Sequence, residues 1–425
     1  MKQTPNEHEA LVYHSTPPHG KTGTQVTKSL RTPHDLALAY SPGVALPVRA
    51  IAERPETIYR YTNKGNLIAV ISNGTAILGL GNQGPEASKP VMEGKCMLLK
   101  GLAGIDAIDL EVRENDPDRL VDLIAALEPG LGGIILEDVK APECFYIERE
   151  LSARLSIPLL HDDQHGTAVV VAAAVLNGLK VVGKQLKKLH VVINGAGAAA
   201  IGCAHMLLAM GLPAAQLVMC DSQGVITHDR PLLSDLKRRY ATSRRIHTLA
   251  EALVDADLFI GVSKGGLLTP AMVATMALNP MVFALANPDP ELPPALVSQC
   301  RPDMLYATGR SDVPNQVNNV LGFPYLLRGA LDTQAMRLND AMLQAAAKAI
   351  AALAEEEIPN ELLRLYNSDH LSFGRTYLLP KALDPRLYER VSTAVAKAAI
   401  RSGVARHTIE DWDAYHQALQ MRCDR

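Results

Sequence analysis

The chain of 425 residues has no strong excess of either charge, since 42 Lys and Arg stand against 45 Asp and Glu for a formal net charge of -3. That balance offers no basic field for a polynucleotide backbone, so no nucleic-acid partner is expected. Its six cysteines, at 96, 144, 203, 220, 300 and 423, form no C-x-x-C and no metal-type spacing. They read as buried thiols of a reducing compartment rather than a disulfide framework. The polar start, MKQTPNEHEALVYHSTPPHGK, lacks the apolar core of a signal peptide. The longest apolar runs, such as HGTAVVVAAAVLNGL, are too short and too interrupted to span a bilayer. No membrane partner is therefore expected, and the implied location is cytoplasmic. Short-period repeats, low-complexity tracts and long like-charge blocks are also missing.

What remains is an ordinary globular composition, 48% hydrophobic and 20% charged, in a chain too long for one core. Two domains follow as the expectation. Pieces of helix are expected at Pro33–Ala39 and Leu46–Glu53. From Asn66 the pattern alternates: LIAVIS and AILGL read as strands, PVMEGKCMLLKGLAG as helix, DAIDLEV as strand and RLVDLIAALE as helix. GGIILED, ECFYIERELSARL and IPLLHDD continue it as strand, helix and strand. Such alternation predicts a parallel sheet covered on both faces. A small-residue helix, HGTAVVVAAAVLNGLKVVG, leads to a second series with strands LHVVING, LVMCD, ADLFIGV and MVFALANP. The fold class is therefore α/β, with an N-terminal domain over residues 1–163, a Rossmann-like nucleotide domain over 164–400 and a helical tail over 401–425.

Two glycine loops compete for the nucleotide. GLGNQG satisfies G-x-G-x-x-G in full, while GAGAAAIG replaces the third glycine by Ala200. Carboxylates follow both at the expected spacing, Asp106 and Asp109 after the first and Asp221 after the second. The neighbours separate them. Gly195, Gly197, Ala198, Ala199 and Ala200 open an unbroken run of helix formers, which supplies the helix N-terminus that a pyrophosphate needs. Asp221 then closes the next strand, where a ribose-binding carboxylate belongs. After Gly84, Pro85 and Pro90 are expected to delay any helix, so GLGNQG reads as a tight turn and GAGAAA as the cofactor loop.

Glu137-Asp138 and Asp162-Asp163 close two expected strands, at the edge of a parallel sheet where ligands bind. Carboxylates without Cys ligands suit a hard cation such as Mg2+ or Mn2+. Ordinary acidic loop residues are the plain alternative. His161-Asp-Asp-Gln-His165 superficially matches H-E-x-x-H, but a strand precedes it and Gly166 follows, which argues against two zinc ligands on one helix face. Structural histidines, their hydrogen bonds satisfied, are expected there. Lys95 matters as a base only if burial and a nearby cation lower its pKa. Tyr40, Asn287, Asn318 and Asn319, taken singly, are turn residues.

Together, AYSPGVA, PVMEGK, LEDVKAPECF, HDDQHGTA, VINGAGAAAIG, ALANPDPE and ATGRSDVPNQVNNVLGFP resemble the malic enzymes of the short bacterial type, in the family's order from about residue 20 to about residue 400. The resemblance implies oxidative decarboxylation of (S)-malate to pyruvate and CO2 with reduction of NAD(P)+. It implies Glu137, Asp138 and Asp163 as metal ligands, Lys95 as general base supported by Asp162, and Tyr40 as the acid that protonates the enol. Asn287 would hold a malate carboxylate and border the cofactor, and Asn319, or its neighbour Asn318, would hold the other end of malate. Ala76 stands where long eukaryotic malic enzymes carry a substrate-binding arginine, and regulation through the acyltransferase-like domain of some bacterial relatives is not expected to carry over. Asp221 by itself points to NAD, the family grounds to NADP, and the position two residues on is Gln223. A homodimer or dimer-based oligomer is implied, with Tyr40 placed to reach a neighbour. The competing readings are an oxaloacetate decarboxylase or malolactic-type enzyme on this scaffold, and a non-catalytic dinucleotide sensor.

Overall fold

The computed structural model describes residues 7–77 and 80–423. Two parallel sheets organise them. The first has four strands, β1 (Leu67–Ser72), β2 (Asp106–Glu111), β3 (Gly133–Leu136) and β4 (Leu159–His161), in the order β2-β1-β3-β4. Its central strands are buried on both faces, the fate of near-continuous runs such as GIIL in a sheet covered by helices. The pairing aligns Ile71 with Leu136 and Leu136 with His161. Glu137-Asp138 and Asp162-Asp163 therefore leave neighbouring strands at the same level of the same edge.

The second sheet holds β5 (Val191–Asn194), β6 (Leu217–Asp221), β7 (Gly224–Val225), β8 (Leu258–Gly261), β9 (Met281–Ala284) and β10 (Leu305–Thr308), in the order β10-β9-β8-β5-β6-β7. Only β7 is antiparallel. The chain moves from β5 to β6 on one side and returns to β8 on the other, so a crevice opens beyond the carboxyl end of β5, where doubly wound sheets bind ligands. The short strands β7 and β10 were not legible in the sequence pattern.

Two expectations are corrected. Of the expected strand AILGL, Leu78 and Gly79 lie outside the described residues, and the described Ile77 makes only an isolated bridge to Gly81. Gly74 forces a loop there, because a Cβ on it would stand 2.1 Å from the Gly84 carbonyl oxygen. The helix that follows starts early, not late, running Pro85–Ala103 with Gly84 as its N-cap. Pro85 sits in the first turn, where its missing N–H and fixed φ cost nothing, and Pro90 is accommodated inside the helix. Gly104, at φ 61, ends it in the left-handed conformation.

The small-residue helix Thr167–Val182 is the central packing element, with eleven buried residues. With the preceding turn it is long and apolar enough to cross a membrane by composition, yet 67% of that window is buried inside the fold, as expected for a core helix. The tail returns to the first sheet. Helix Phe323–Asp332 packs on Arg386–Arg401 and on the Pro85–Ala103 helix. Arg328, 2% exposed, donates to Asn66 and Asp332, and Asp332 also accepts from Tyr415 and Arg422. One apolar core accordingly includes Ile68 and Met92 of the first sheet region together with Leu327, Ile350 and Val395. No disulfide forms among the described residues, and Cys96, Cys144, Cys203 and Cys220 are buried while Cys300 is partly so.

Candidate active site

The first sheet's carboxyl edge gathers four carboxylates around one lysine. Lys95 comes from the middle of the Pro85–Ala103 helix and is 8% exposed. Its Nζ lies 3.0 Å from Glu137 Oε1, is ion-paired with Asp162 Oδ2, and sits 4.4 Å from the Phe323 ring centroid. Oxygens of Glu137, Asp138 and Asp163 all lie within 4.8 Å of one another. Asp138 takes φ 53, a bend in the left-handed region, and its N–H donates to Asp163 Oδ2 at 3.2 Å. The Asp138 carbonyl accepts the Ala76 N–H at 2.9 Å, which pins the glycine loop over the cluster.

A short π-helical turn, Asp162–Gly166, sets the other carboxylates. A Cβ on Gly166 would fall 1.9 Å from Asp162 Oδ1, so only glycine leaves that side chain room to fold inward. Glu148 accepts from Gln164 and His165 and fixes the turn from outside. His165 is thus a satisfied structural residue, but His161 is not: it is fully buried, and neither ring nitrogen has a hydrogen-bond partner. The two histidines stand on a strand end and a turn, not on one helix face.

Electrostatics describe a site short of positive charge. Burial pulls the Lys95 pKa down, yet the Asp162 and Glu137 carboxylates outweigh it and hold the group above its ordinary value. The lowered pKa that would make Lys95 a base is absent while both anions face it. Burial raises Glu137 and Asp162, an effect the Lys95 ammonium only partly offsets. Glu137 Oε2 and Asp162 Oδ1 are buried without a hydrogen-bond partner, which is costly unless something else satisfies them. Orphaned carboxylate oxygens in an all-oxygen donor set fit a hard divalent cation held by Glu137, Asp138 and Asp163.

The asparagines separate cleanly. Asn319 donates its side-chain N–H to Asp162 and so faces the cluster. Asn318 instead caps the next turn, its Oδ1 accepting the Val320 N–H at 3.0 Å. Asn287 is exposed just past β9, its Oδ1 3.3 Å from where a Cβ on Gly309 would stand. Tyr40 is not brought to the cluster. It is 70% exposed on the helix pair Pro33–Ala39 and Ala45–Glu53, neither of which buries a residue.

The nucleotide loop lies at the crevice beyond β5. Gly195 adopts φ 136 and a Cβ there would meet the Val262 carbonyl oxygen at 2.7 Å, so the loops after β5 and β8 touch. Gly197 caps helix Ala198–Ala209, whose first turn begins with Ala198, Ala199 and the buried Ala200 and leaves its first backbone N–H groups without partners inside the helix. Further along, Gly202 approaches the backbone of Gln164, where a Cβ would stand 2.3 Å from its oxygen. The nucleotide helix is thereby pressed on the turn carrying Asp162 and Asp163. The sequence reading missed Gly202, although a glycine inside an alanine-rich helix signals close packing. It also missed Glu291, fully buried, which accepts the N–H groups of Ser263 and Ala286 and ties together the loops after β8 and β9. A lone Glu after the turn-forming NPDP was its only signal.

A doubly wound sheet with a glycine turn, packed against a carboxylate cluster with a buried lysine, is the arrangement of a dinucleotide-dependent enzyme, and comparison with known proteins makes the class specific. Residues 19–152 match the family model "Malic enzyme, N-terminal domain" and residues 164–368 match "Malic enzyme, NAD binding domain". An NADP-dependent malic enzyme of Halomonas elongata is 54% identical over 93% of this chain and 94% of its own length. An NAD-dependent malic enzyme of Rhizobium meliloti is 50% identical over 97% of this chain, which spans 54% of that longer protein. The crystal structure of malic enzyme from Pyrococcus horikoshii superposes with a TM-score of 0.89 at 38% identity, covering 98% of this chain and 95% of the other. The chain belongs to the malic enzyme family and is an NAD(P)-dependent oxidoreductase.

Proposed function

We propose that the protein oxidatively decarboxylates (S)-malate to pyruvate and CO2, with Mg2+ or Mn2+ as the divalent ion and NADP+ favoured over NAD+ as acceptor. The observation that carries this reading is the buried Lys95 wedged between Glu137 and Asp162, beside a three-carboxylate cation site. A cation held by Glu137, Asp138 and Asp163 would supply Lewis-acid polarisation and charge stabilisation for CO2 loss, and a dinucleotide at the 195–200 turn would supply the hydride acceptor.

The chain's own residues do the rest. Lys95 removes the C2 hydroxyl proton. Glu137, when engaged as a cation ligand, no longer stabilises the Lys95 ammonium, and Asp162 remains to hold the amine in place. Asn319, fixed on Asp162, and Asn287, at the crevice, orient the malate carboxylates. Gly195, Gly197 and the first turn of helix Ala198–Ala209 bind the pyrophosphate through backbone N–H groups.

Tyr40 donates the proton that converts enolpyruvate to pyruvate. Its exposure fits delivery from a second subunit in a homodimer. Leu38, Tyr40 and Leu46 are 62%, 70% and 69% exposed in one chain, an apolar surface that a partner would cover. Buried thiols and the lack of disulfides among the described residues agree with a reducing, cytoplasmic setting.

The test is direct. Purified protein supplied with malate and Mn2+ should generate pyruvate and reduced cofactor, faster with NADP+ than with NAD+. Lactate without accumulated reduced cofactor would replace this reading by the malolactic one. Tyr40→Phe should lower pyruvate formation about 100-fold or more while leaving malate-dependent cation binding intact. Full activity in a monomer on sedimentation would remove the intersubunit role.

A further inference from the structure

Beneath the crevice Glu291 is 0% exposed, and among the described residues no lysine or arginine pairs with it. Burying an anion in this way is costly unless hydrogen bonds hold it. Its donors come from the two loops that border the crevice beside the glycine turn. Oε1 accepts the Ser263 N–H at 2.9 Å, from the loop after β8. Oε2 accepts the Ala286 N–H at 3.0 Å, from the residue directly before Asn287. Such charge-assisted bonds are shorter and stronger than neutral ones.

The surroundings are shaped for that carboxylate. A Cβ on Gly261, the last residue of β8, would stand 2.3 Å from Glu291 Cδ, so only glycine leaves it room. The backbone at Glu291 is stitched to the same loop. The Gly266 N–H donates to the Pro290 carbonyl at 3.1 Å, and the Leu268 N–H to the Glu291 carbonyl at 2.9 Å. On either side, Asn194 donates to Ser263 Oγ at 2.8 Å, and the Tyr306 hydroxyl to the Leu292 carbonyl at 2.5 Å. Directly, or through Ser263 and Leu292, Glu291 anchors the ends of β5, β8, β9 and β10. The exposed Asn287 emerges from this frame one residue after the anchored Ala286.

We propose that Glu291 is a positioning residue for malate: its bond to the Ala286 N–H sets where Asn287 presents its amide to a substrate carboxylate. The inference rests on the reading of Asn287 as a malate ligand. Glu291, sealed from the crevice, acts through Asn287. The glycine turn keeps a hold of its own, since the Gly195 N–H donates to the Cys220 carbonyl at 2.9 Å. The buried carboxylate therefore governs the malate end of the site and not the pyrophosphate end.

Calorimetric titration of the full chain with malate, in the presence of Mn2+ and without nucleotide, reads this without turnover. Glu291→Gln keeps the shape but turns an N–H donor toward one of the two backbone N–H groups. It should weaken malate binding about tenfold while changing ADP affinity less than about twofold. Asn287→Ala should weaken malate at least as much, and adding Glu291→Gln to it should cost less than about a further twofold. A merely structural role would instead multiply the two losses. Multiplied losses, equal weakening of ADP, or unchanged malate affinity in Glu291→Gln overturn the proposal and leave the malate reading standing. Asn287→Ala with wild-type affinity removes the Asn287 reading and this proposal with it, and a wild type that binds no malate removes the proposed function as well. Should Glu291→Gln not fold, Ser263→Ala loosens the same carboxylate from an exposed position. Its smaller loss must show the same dependence on Asn287, and losses that multiply overturn the proposal there too.

Discussion

The two sheet edges carry opposite versions of the same motif, a buried carboxylate joined to a basic side chain. At the first edge one ammonium, Lys95, faces Glu137 and Asp162 with Asp138 and Asp163 alongside. At the second, one carboxylate, Asp221, faces Arg230 and Lys237. The first is left with surplus negative charge and orphaned oxygens, the second with surplus positive charge and spare donors. Charge balance, rather than the identity of the acidic residue, distinguishes the two edges.

Breaking the first edge should have the largest effect. Lys95→Ala is expected to lower malate turnover by about 1,000-fold or more, with cofactor affinity near wild type in a fluorescence titration. Retained turnover would show that Lys95 is only a counter-ion for its carboxylates. Next, Asp163→Asn should cost the cation. Wild type should gain about 2.7 kcal/mol of stability from Mn2+ at a hundred times its Kd, read as a rise in Tm, and the variant should lose most of that rise. An unchanged Mn2+ response would place the ion elsewhere.

The seam between the two edges offers a smaller test. Gly202→Ala puts a Cβ 2.3 Å from the Gln164 oxygen, and the helix must move to admit it. A loss of about 1–3 kcal/mol is expected, seen as a lower denaturant midpoint at unchanged slope. No change would mean that helix Ala198–Ala209 slides freely over the 162–166 turn.

The smallest effect concerns pH at the second edge. Burial pushes the Asp221 carboxyl up, but Arg230 and Lys237 outweigh it and hold it at about 2. A carboxyl depressed on folding adds stability that is complete above its unfolded pKa of about 3.9 and lost as pH falls through the folded value. Asp221→Asn should therefore flatten the fall of stability between about pH 4 and pH 2. An acid unfolding curve identical to wild type in that window would mean that the ion pair contributes nothing.

Much of this architecture was legible because it depends on short-range patterns. Strand runs such as LIAVIS and GGIIL are apolar on both faces, and GGIIL ends in Glu137-Asp138, so their parallel pairing and the position of that acid pair followed from local rules. The preference for GAGAAA over the more regular GLGNQG rested on the helix expected after each, and a helix follows both, from Ala198 and from Pro85. The early helix start at Pro85 was misread because proline breaks a helix in general but suits its first turn. The loop at Gly74 was not legible because Gly74 and Gly84 approach each other, a contact between residues ten apart that no periodicity reveals.

The sequence by itself determined the alternation of the main strands and helices, the glycine turn at 195–197 and the acids that end β3, β4 and β6, because each is set by neighbours within a few residues. Tertiary structure alone decided that Glu137 and Asp162 share Lys95, that Asn319 and not Asn318 reaches Asp162, and that Asp221 is masked by Arg230 and Lys237. Those outcomes depend on strand order, on the turn at 162–166 and on side chains arriving from 9 and 16 residues downstream. Charge neutralisation is a property of what surrounds a group in space, and the chain's linear order does not contain it.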